Sequence, residues 1–274
     1  MMSNNDLFLL AKKSRVQLLE LAFKSDGPSH LGGGLSMVEI FTALYGSVLQ
    51  FDPQNPEWEN RDRFILSKGH GVLPFFVALH NAGFISQEEL YTYKKNESDL
   101  ISHPVMNLRL GIESSNGSLG HGLSMAVGIS LALKRKDNLT SRVFVVLGDG
   151  ECNEGSVWEA SMSAAHFKLD NLVAIVDYNK LQSDGNSDTI MDIGVLEKKW
   201  DSFGWEVISL DGHDINALID ALNKASSGPS VKPRVVIAHT VKGKGVSFME
   251  NNNAWHHNRL TQTTFEQALA ELNN

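Results

Sequence analysis

The chain has a single cysteine, Cys152, in 274 residues. No internal disulfide can form, which fits a reducing, intracellular setting and points to a cytoplasmic protein. No apolar run approaches the roughly 20 residues that span a bilayer, so no membrane association is expected. A basic excess is also missing. The 32 acidic residues against 24 Lys and Arg leave a formal charge of -8, which argues against nucleic-acid binding. In the N-terminal stretch MMSNNDLFLLAKKSR the charges follow the short apolar run, so it reads as a helix start and not as a signal peptide. There is no internal repeat and no low-complexity tract. What remains is an ordinary globular composition, long enough for a sizeable core.

Helical periodicity is clear over 7–22, 36–49, 119–134, 156–167, 215–225 and 264–272. Short apolar, β-rich runs occupy 64–66, 143–147, 172–176, 207–210 and 235–238. The last four alternate with helices and are almost continuously apolar, as strands covered on both faces are. The expected fold is therefore α/β, a mostly parallel sheet with helices on both faces. Segments 51–63 and 99–118 read as long loops, and loops of that length in a compact domain are often functional.

The chemistry concentrates in VFVVLGDGECNEGSVWEA. Asp149 stands between Gly148 and Gly150, just past an apolar strand, where open parallel sheets bind ligands. Asn179 holds the same position after the next strand, in LVAIVDYNK, and consecutive strands usually lie near each other. One carboxylate and one amide oxygen suit Mg²⁺ or Ca²⁺ that completes its shell with water and substrate phosphates. The two glycines let backbone approach a ligand closely. The spacing is wrong for the dinucleotide fingerprint, and a bare aspartate there would repel a pyrophosphate unless a cation bridged the two. Alone, GDG reads better as a strand-to-helix turn with an aspartate N-cap; Asn179 after the following strand shifts the balance to a metal-bound diphosphate.

These residues resemble the thiamine-diphosphate motif, in which GDG is followed at about thirty residues by Asn. More narrowly, the chain is similar to the N-terminal, diphosphate-binding half of transketolase. The resemblance runs through SHLGGGLSMVEI, NRDRFILSKGHG, SHP, GSLGHGLSMAVG, GDGECNEGSVWEA, DYNKLQSDG, AHTVKGKGVSFME and WHH, in that order. It implies the thiamine-diphosphate-binding fold over 1–274, with the pyrimidine-binding and C-terminal domains absent from this chain. It implies thiamine diphosphate and Mg²⁺ as cofactors, with Ca²⁺ or Mn²⁺ as substitutes. Asp149 and Asn179 match side-chain metal ligands, and Leu181 matches a backbone carbonyl ligand. Gly150 matches a backbone contact to the diphosphate, beside Gly148, and His70 matches a histidine near it. Gly117 and Leu119 match residues that touch the pyrimidine. His30, His103 and His239 match histidines of the substrate channel, suited to proton exchange. His239 also counts among the cofactor contacts. Glu154 and Glu159 match acids that link two active sites.

The expected activity is two-carbon ketol transfer between sugar phosphates, as one half of a split transketolase. Its partner would be a separate C-terminal, pyrimidine-binding subunit, with self-association in an α2β2 assembly. Two relatives compete: a transketolase-like enzyme for a specialised sugar (a sulfosugar or branched-chain sugar), and the α-subunit of a 2-oxo acid dehydrogenase. A cofactor-binding module without catalysis is a third. Departures from the family pattern are Ser29, Asn116, His121 and His257, at positions usually Gly, Thr, Gln and Gly. Outside the motifs, His80, His166 and His213 read as satisfied imidazoles, Lys242 as a solvated charge, and Cys152 as a small filler. Phe75 and Phe76 read as core, and His256 and His257 stay open.

Overall fold

The computed structural model describes residues 3–138, 140–227 and 231–273. Five strands form one parallel sheet: β1 (Arg63–Leu66), β2 (Val143–Gly148), β3 (Leu172–Tyr178), β4 (Glu206–Asp211) and β5 (Arg234–His239). Their spatial order is β1-β2-β3-β5-β4, so β5 inserts between β3 and the edge strand β4. The helices are α1 (Asn4–Lys24), α2 (Leu31–Leu35), α3 (Val38–Ala43), α4 (Val72–Asn81), α5 (Gln87–Leu90), α6 (His121–Arg135), α7 (Gly155–His166), α8 (Ser187–Met191), α9 (Leu196–Ser202), α10 (Ile215–Ser227) and α11 (Gln262–Asn273).

Strand parity builds two cores. Phe64, Leu66, Phe144, Val146, Val173, Ile175, Val236 and Ala238 point to one face, against buried residues of α1, α3, α4 and α10. Ile65, Val145, Leu147, Ala174, Val176, Val235 and Ile237 point to the other, against α6, α7 and α9. Successive strand residues go to opposite faces, so a strand covered on both sides must be apolar throughout. That holds for β2, every residue of which is buried. It does not hold for β4, where Glu206, Ser209 and Asp211 are exposed, because β4 is an edge strand and only part of its surface is covered.

The expected strands are present with longer ends, and the expected long helices are present with ends shifted by at most three residues. The start of α1 is a capping box: the Asp6 amide donates to Ser3 Oγ at 3.2 Å and the Ser3 amide to Asp6 Oδ2 at 3.1 Å. The helix expected over 36–49 is α3 continued by a π-helical turn, Leu44–Val48. Helix α4 was legible only as the spacing of Phe75, Phe76 and Leu79. Its residues Val72 to Leu79 are all buried, so it has no polar stripe to reveal its period. Among the described residues no helix is long and apolar enough to cross a membrane.

The central strand carries the sheet. Ile175 on β3 is fully buried between flanking strands. Ile175→Ala should lower unfolding stability by about 2–5 kcal/mol, read as a shift of the denaturant midpoint at constant slope. A loss below about 1 kcal/mol would show that the sheet relaxes around the cavity.

Candidate active site

The carboxyl ends of β1, β2, β3 and β5 open onto a cavity of about 490 Å³. Lining residues include His30, Lys68, His70, His103, Asp149, Asn179, Leu181, Gln182, Lys242 and His256. Its base is an ion pair. Lys68, just past β1, donates from Nζ to Asp177 Oδ2 at 2.6 Å, and both side chains are almost wholly buried. Asp177 also accepts from Ser36 Oγ at 2.7 Å, from Asn179 Nδ2 at 3.0 Å and from Thr240 Oγ1. Burial pushes the Asp177 carboxyl up, but the Lys68 ammonium and these donors outweigh burial and hold it below its ordinary value.

This arrangement orients Asn179. Because its Nδ2 is committed to Asp177, its Oδ1 is turned the other way, where it accepts the Leu181 amide at 3.1 Å. Asp149 follows β2, its amide donating to the Asp177 carbonyl at 3.3 Å and its Oδ2 accepting from Ser187 Oγ at 2.9 Å. Burial, with the Asp177 charge nearby, pushes the Asp149 carboxyl up to about 6. The Asp149 carboxylate, the Asn179 Oδ1 and the Leu181 carbonyl are hard oxygen donors on one cavity, and they could hold a divalent cation that takes its remaining ligands from phosphate and water.

The cavity also fits a diphosphate. Lys242, expected as a solvated charge, is buried at 1% exposure. Its Nζ donates to the carbonyls of Leu181 and Gln182 at 3.3 and 3.0 Å and to Asn253 Oδ1 at 3.1 Å. Burial and Lys68 push its ammonium down to about 8. The loop that carries it is fixed from behind: the Val241 amide donates to His213 Nε2 at 2.8 Å, and His213 Nδ1 lies 3.0 Å from Glu39. At Gly150 a Cβ would come within 2.7 Å of the Gln182 side chain, and at Gly69 within 2.3 Å of the Asn116 carbonyl, so both loops depend on glycine. Gln182 Nε2 and His256 Nδ1 are buried without a protein partner, two polar atoms left for a ligand.

One wall is an array of imidazoles. The His30 ring lies 5.1 Å from His70, 6.1 Å from His103, 5.4 Å from His256 and 4.4 Å from His257, centroid to centroid. Burial, then the neighbouring imidazoles and Lys94, pushes His30 down to about 3. Burial and Lys68 push His70 to about 2, burial and Lys242 push His256 to about 4, and burial lowers His103. At neutral pH each is a neutral ring with one donor and one acceptor nitrogen. Ser29 is locked to Asn258 by paired backbone bonds of 2.9 and 3.1 Å, and its Oγ accepts from Lys94 Nζ at 3.1 Å.

The structure brings His30, His70, His103, Gly117, Leu119, Gly148, Asp149, Gly150, Glu154, Asn179 and Leu181 to the cavity lining. His239 is not among the lining residues, which corrects its expected place beside the other channel histidines. It ends β5 with the parity of Ile237, on the α9 side of the sheet, where Nε2 lies 2.8 Å from Ser209 Oγ and 3.4 Å from Glu197. His256 stands in the array instead. Glu159 is exposed on α7, away from the cavity lining. Cys152 is fully buried, its thiol pushed well up by burial and 3.4 Å from the Gly148 carbonyl, as a filler would be. His80 and His213 are satisfied, His80 Nδ1 lying 2.8 Å from the Ile85 carbonyl.

The sequence profile described as transketolase, thiamine diphosphate binding domain, matches residues 10–272. The chain is 44% identical over 274 aligned residues to an apulose-4-phosphate transketolase subunit of Actinobacillus succinogenes, covering 99% of this chain and 97% of the relative. It is 42% identical over 246 residues to a 6-deoxy-6-sulfo-D-fructose transketolase subunit of a Clostridium species, covering 90% and 89%. Human transketolase is 35% identical over 262 residues, covering 96% of this chain and 41% of that protein. The crystal structure of Campylobacter jejuni transketolase superposes with a TM-score of 0.91 at 28% identity, covering 99% of this chain and 43% of the solved one.

With divalent ions chelated, the raised Asp149 carboxyl sets a pH dependence. The folded state then binds a proton more tightly than the unfolded state, so stability falls as pH rises from about 4 to about 6. Asp149→Asn removes that titration. Its stability relative to wild type should rise by about 3 kcal/mol across this window, in parallel denaturant titrations with chelator. A constant difference would mean that Asp149 is charged at no cost.

Proposed function

Since the chain belongs to the transketolase family, as a thiamine-diphosphate-binding domain, we propose that it is one subunit of a two-carbon ketol transferase completed by a separate pyrimidine-binding subunit. It spans less than half of the solved transketolase and nearly all of the relatives named as subunits, which supports a division of the enzyme between two chains. The observation that carries the reading is the joint placement of Asp149, Asn179 and Leu181 on a cavity that also holds two buried lysines and a row of neutral imidazoles.

When bound, thiamine diphosphate would supply carbanion chemistry at its thiazolium C2 toward a ketose carbonyl. The residues of this chain bind and orient it. Asp149, Asn179 Oδ1 and the Leu181 carbonyl would hold Mg²⁺, with Ca²⁺ or Mn²⁺ as substitutes. Lys68, Lys242, His70, the Gln182 amide and the backbone at Gly148 and Gly150 would face the diphosphate, and Gly117 and Leu119 the pyrimidine, with Glu154 at the rim. Neutral His30, His103 and His256 would donate to and accept from sugar hydroxyls and carbonyl oxygens, and move protons between them. His256 takes the place in this scheme that the sequence assigned to His239. Two copies of each subunit would form the α2β2 assembly.

The sugar is a specialised one on this reading. The relatives at 44% and 42% identity carry names that specify an unusual sugar, apulose 4-phosphate or 6-deoxy-6-sulfo-D-fructose, while the name of a transketolase family protein at 41% specifies no sugar and human transketolase, at 35%, is less similar. Ser29 and His257, two departures from the family pattern, flank His30.

The purified chain and its co-purifying partner should each be inactive alone and transfer ketol units together. The assay compares xylulose 5-phosphate, apulose 4-phosphate and 6-deoxy-6-sulfo-D-fructose as donors. Full activity of this chain alone would overturn the division, and carbon dioxide release from pyruvate would indicate 2-oxo acid chemistry instead. In the active complex, His30→Ala should lower kcat by about 10²–10⁴-fold while thiamine diphosphate affinity changes by less than about threefold. Unchanged turnover would remove His30 from the chemistry.

A further inference from the structure

Glu151 has no part in the scheme above, yet its carboxylate is buried at the junction of three loops that line the cavity. It lies in the turn after β2, at 3% exposure. One oxygen, Oε1, accepts the Gly120 amide at 2.8 Å and the Ser67 hydroxyl. The other, Oε2, accepts the Gly148 amide at 3.0 Å. Ser67 Oγ in turn accepts the Gly122 amide at 3.1 Å. The Gly120 peptide is held from its other side as well, since Ser156 Oγ donates to its carbonyl at 3.0 Å.

Each of these anchor points adjoins residues of the cavity. Ser67 precedes Lys68 and His70, Gly148 precedes Asp149, and Gly120 follows Gly117 and Leu119. The geometry tolerates no slack. A Cβ at Gly120, whose φ is +81°, would come within 2.5 Å of Ser156 Oγ, and one at Gly122 within 2.4 Å of Ser67. No basic side chain forms an ion pair with Glu151 among the salt bridges of the described residues. Burying a carboxylate without one is costly unless donors compensate it. A buried carboxylate that accepts from three segments is a device for fixing those segments relative to each other.

We propose that Glu151 is a positioning residue: it clamps the 117–120 loop to the turn after β2, so that one bound molecule is gripped at both ends. Resting on the function proposed above, this assigns Glu151 to the joint presentation of the pyrimidine and diphosphate sides of thiamine diphosphate.

The test uses the assembled complex and two variants, Glu151→Gln and Ser67→Ala. Gln keeps the shape but turns an NH₂ group toward one of the amide donors. Calorimetry with Mg²⁺ compares thiamine diphosphate, which spans both loops, with inorganic pyrophosphate, which needs only the diphosphate side. For Glu151→Gln the Kd of thiamine diphosphate should rise about ten- to a hundredfold and that of pyrophosphate less than about threefold, with Ser67→Ala intermediate. Hydrogen exchange of peptides covering 116–123 should quicken while α10 stays unchanged. Equal loss for both ligands, or no loss, overturns the clamp. If Glu151→Gln fails to fold, the same split in Ser67→Ala decides. Failure of the wild-type complex to bind thiamine diphosphate would instead bring down the proposed function, and the clamp with it.

Discussion

A buried lysine–aspartate pair sets the geometry of this molecule. Lys68 follows β1 and Asp177 lies in β3, strands that do not touch, yet their side chains meet at 2.6 Å under the cavity floor. Breaking such a pair from one side leaves an uncompensated buried charge, at a cost of about 3–5 kcal/mol. Asp177 spends its remaining lone pairs on Ser36, Asn179 and Thr240, which belong to the loop before α3, the end of β3 and the end of β5. One carboxylate therefore fixes four segments, and the Asn179 oxygen is aimed as a result.

Charge is arranged in a gradient across the site. Asp177 is neutralised from below by Lys68, and Asp149 is not neutralised by any direct ion pair among the described residues. Its carboxyl rises to about 6 because burial and the nearby Asp177 charge disfavour the anion. Lys242 is pushed down to about 8 by the same burial and by Lys68. Two crowded cations and one under-compensated anion describe a site complementary to a cation and a polyanion bound together. The imidazole wall has the opposite character. Crowding and burial keep His30, His70 and His256 neutral, so each offers one donor and one acceptor nitrogen and adds no fixed charge.

Much of this was legible in the sequence because the sheet makes it local. Asp149 and Asn179 each follow an apolar strand, and strand ends converge whatever the loops do. The rest depends on pairings that no local pattern carries. Lys68 and Asp177 are 109 positions apart, and although both lie inside the SKGH and DYNK blocks, nothing in either block says that they pair. Lys242 sits in VKGKG, a run that reads as solvated until β5 is placed inside the sheet rather than at its edge. His239 failed for a complementary reason: it has the right position along β5 but the wrong parity, and strand parity turns it toward α9. His256, seventeen residues on, reaches the array because Asn258 pairs with Ser29 and draws its loop across the cavity. The WHH block, which holds both His256 and His257, marked that loop without saying which imidazole would enter.

The central claim is that Asp149 and Asn179 hold a divalent cation together with a diphosphate. Mn²⁺ is the most direct reporter, since its free electron paramagnetic resonance signal disappears on binding. In the assembled complex the account predicts that the signal is lost only when both protein and thiamine diphosphate are present, and that it persists with Asp149→Ala. Equal loss of signal with Asp149→Ala, or tight thiamine diphosphate binding with all metal chelated, would contradict it.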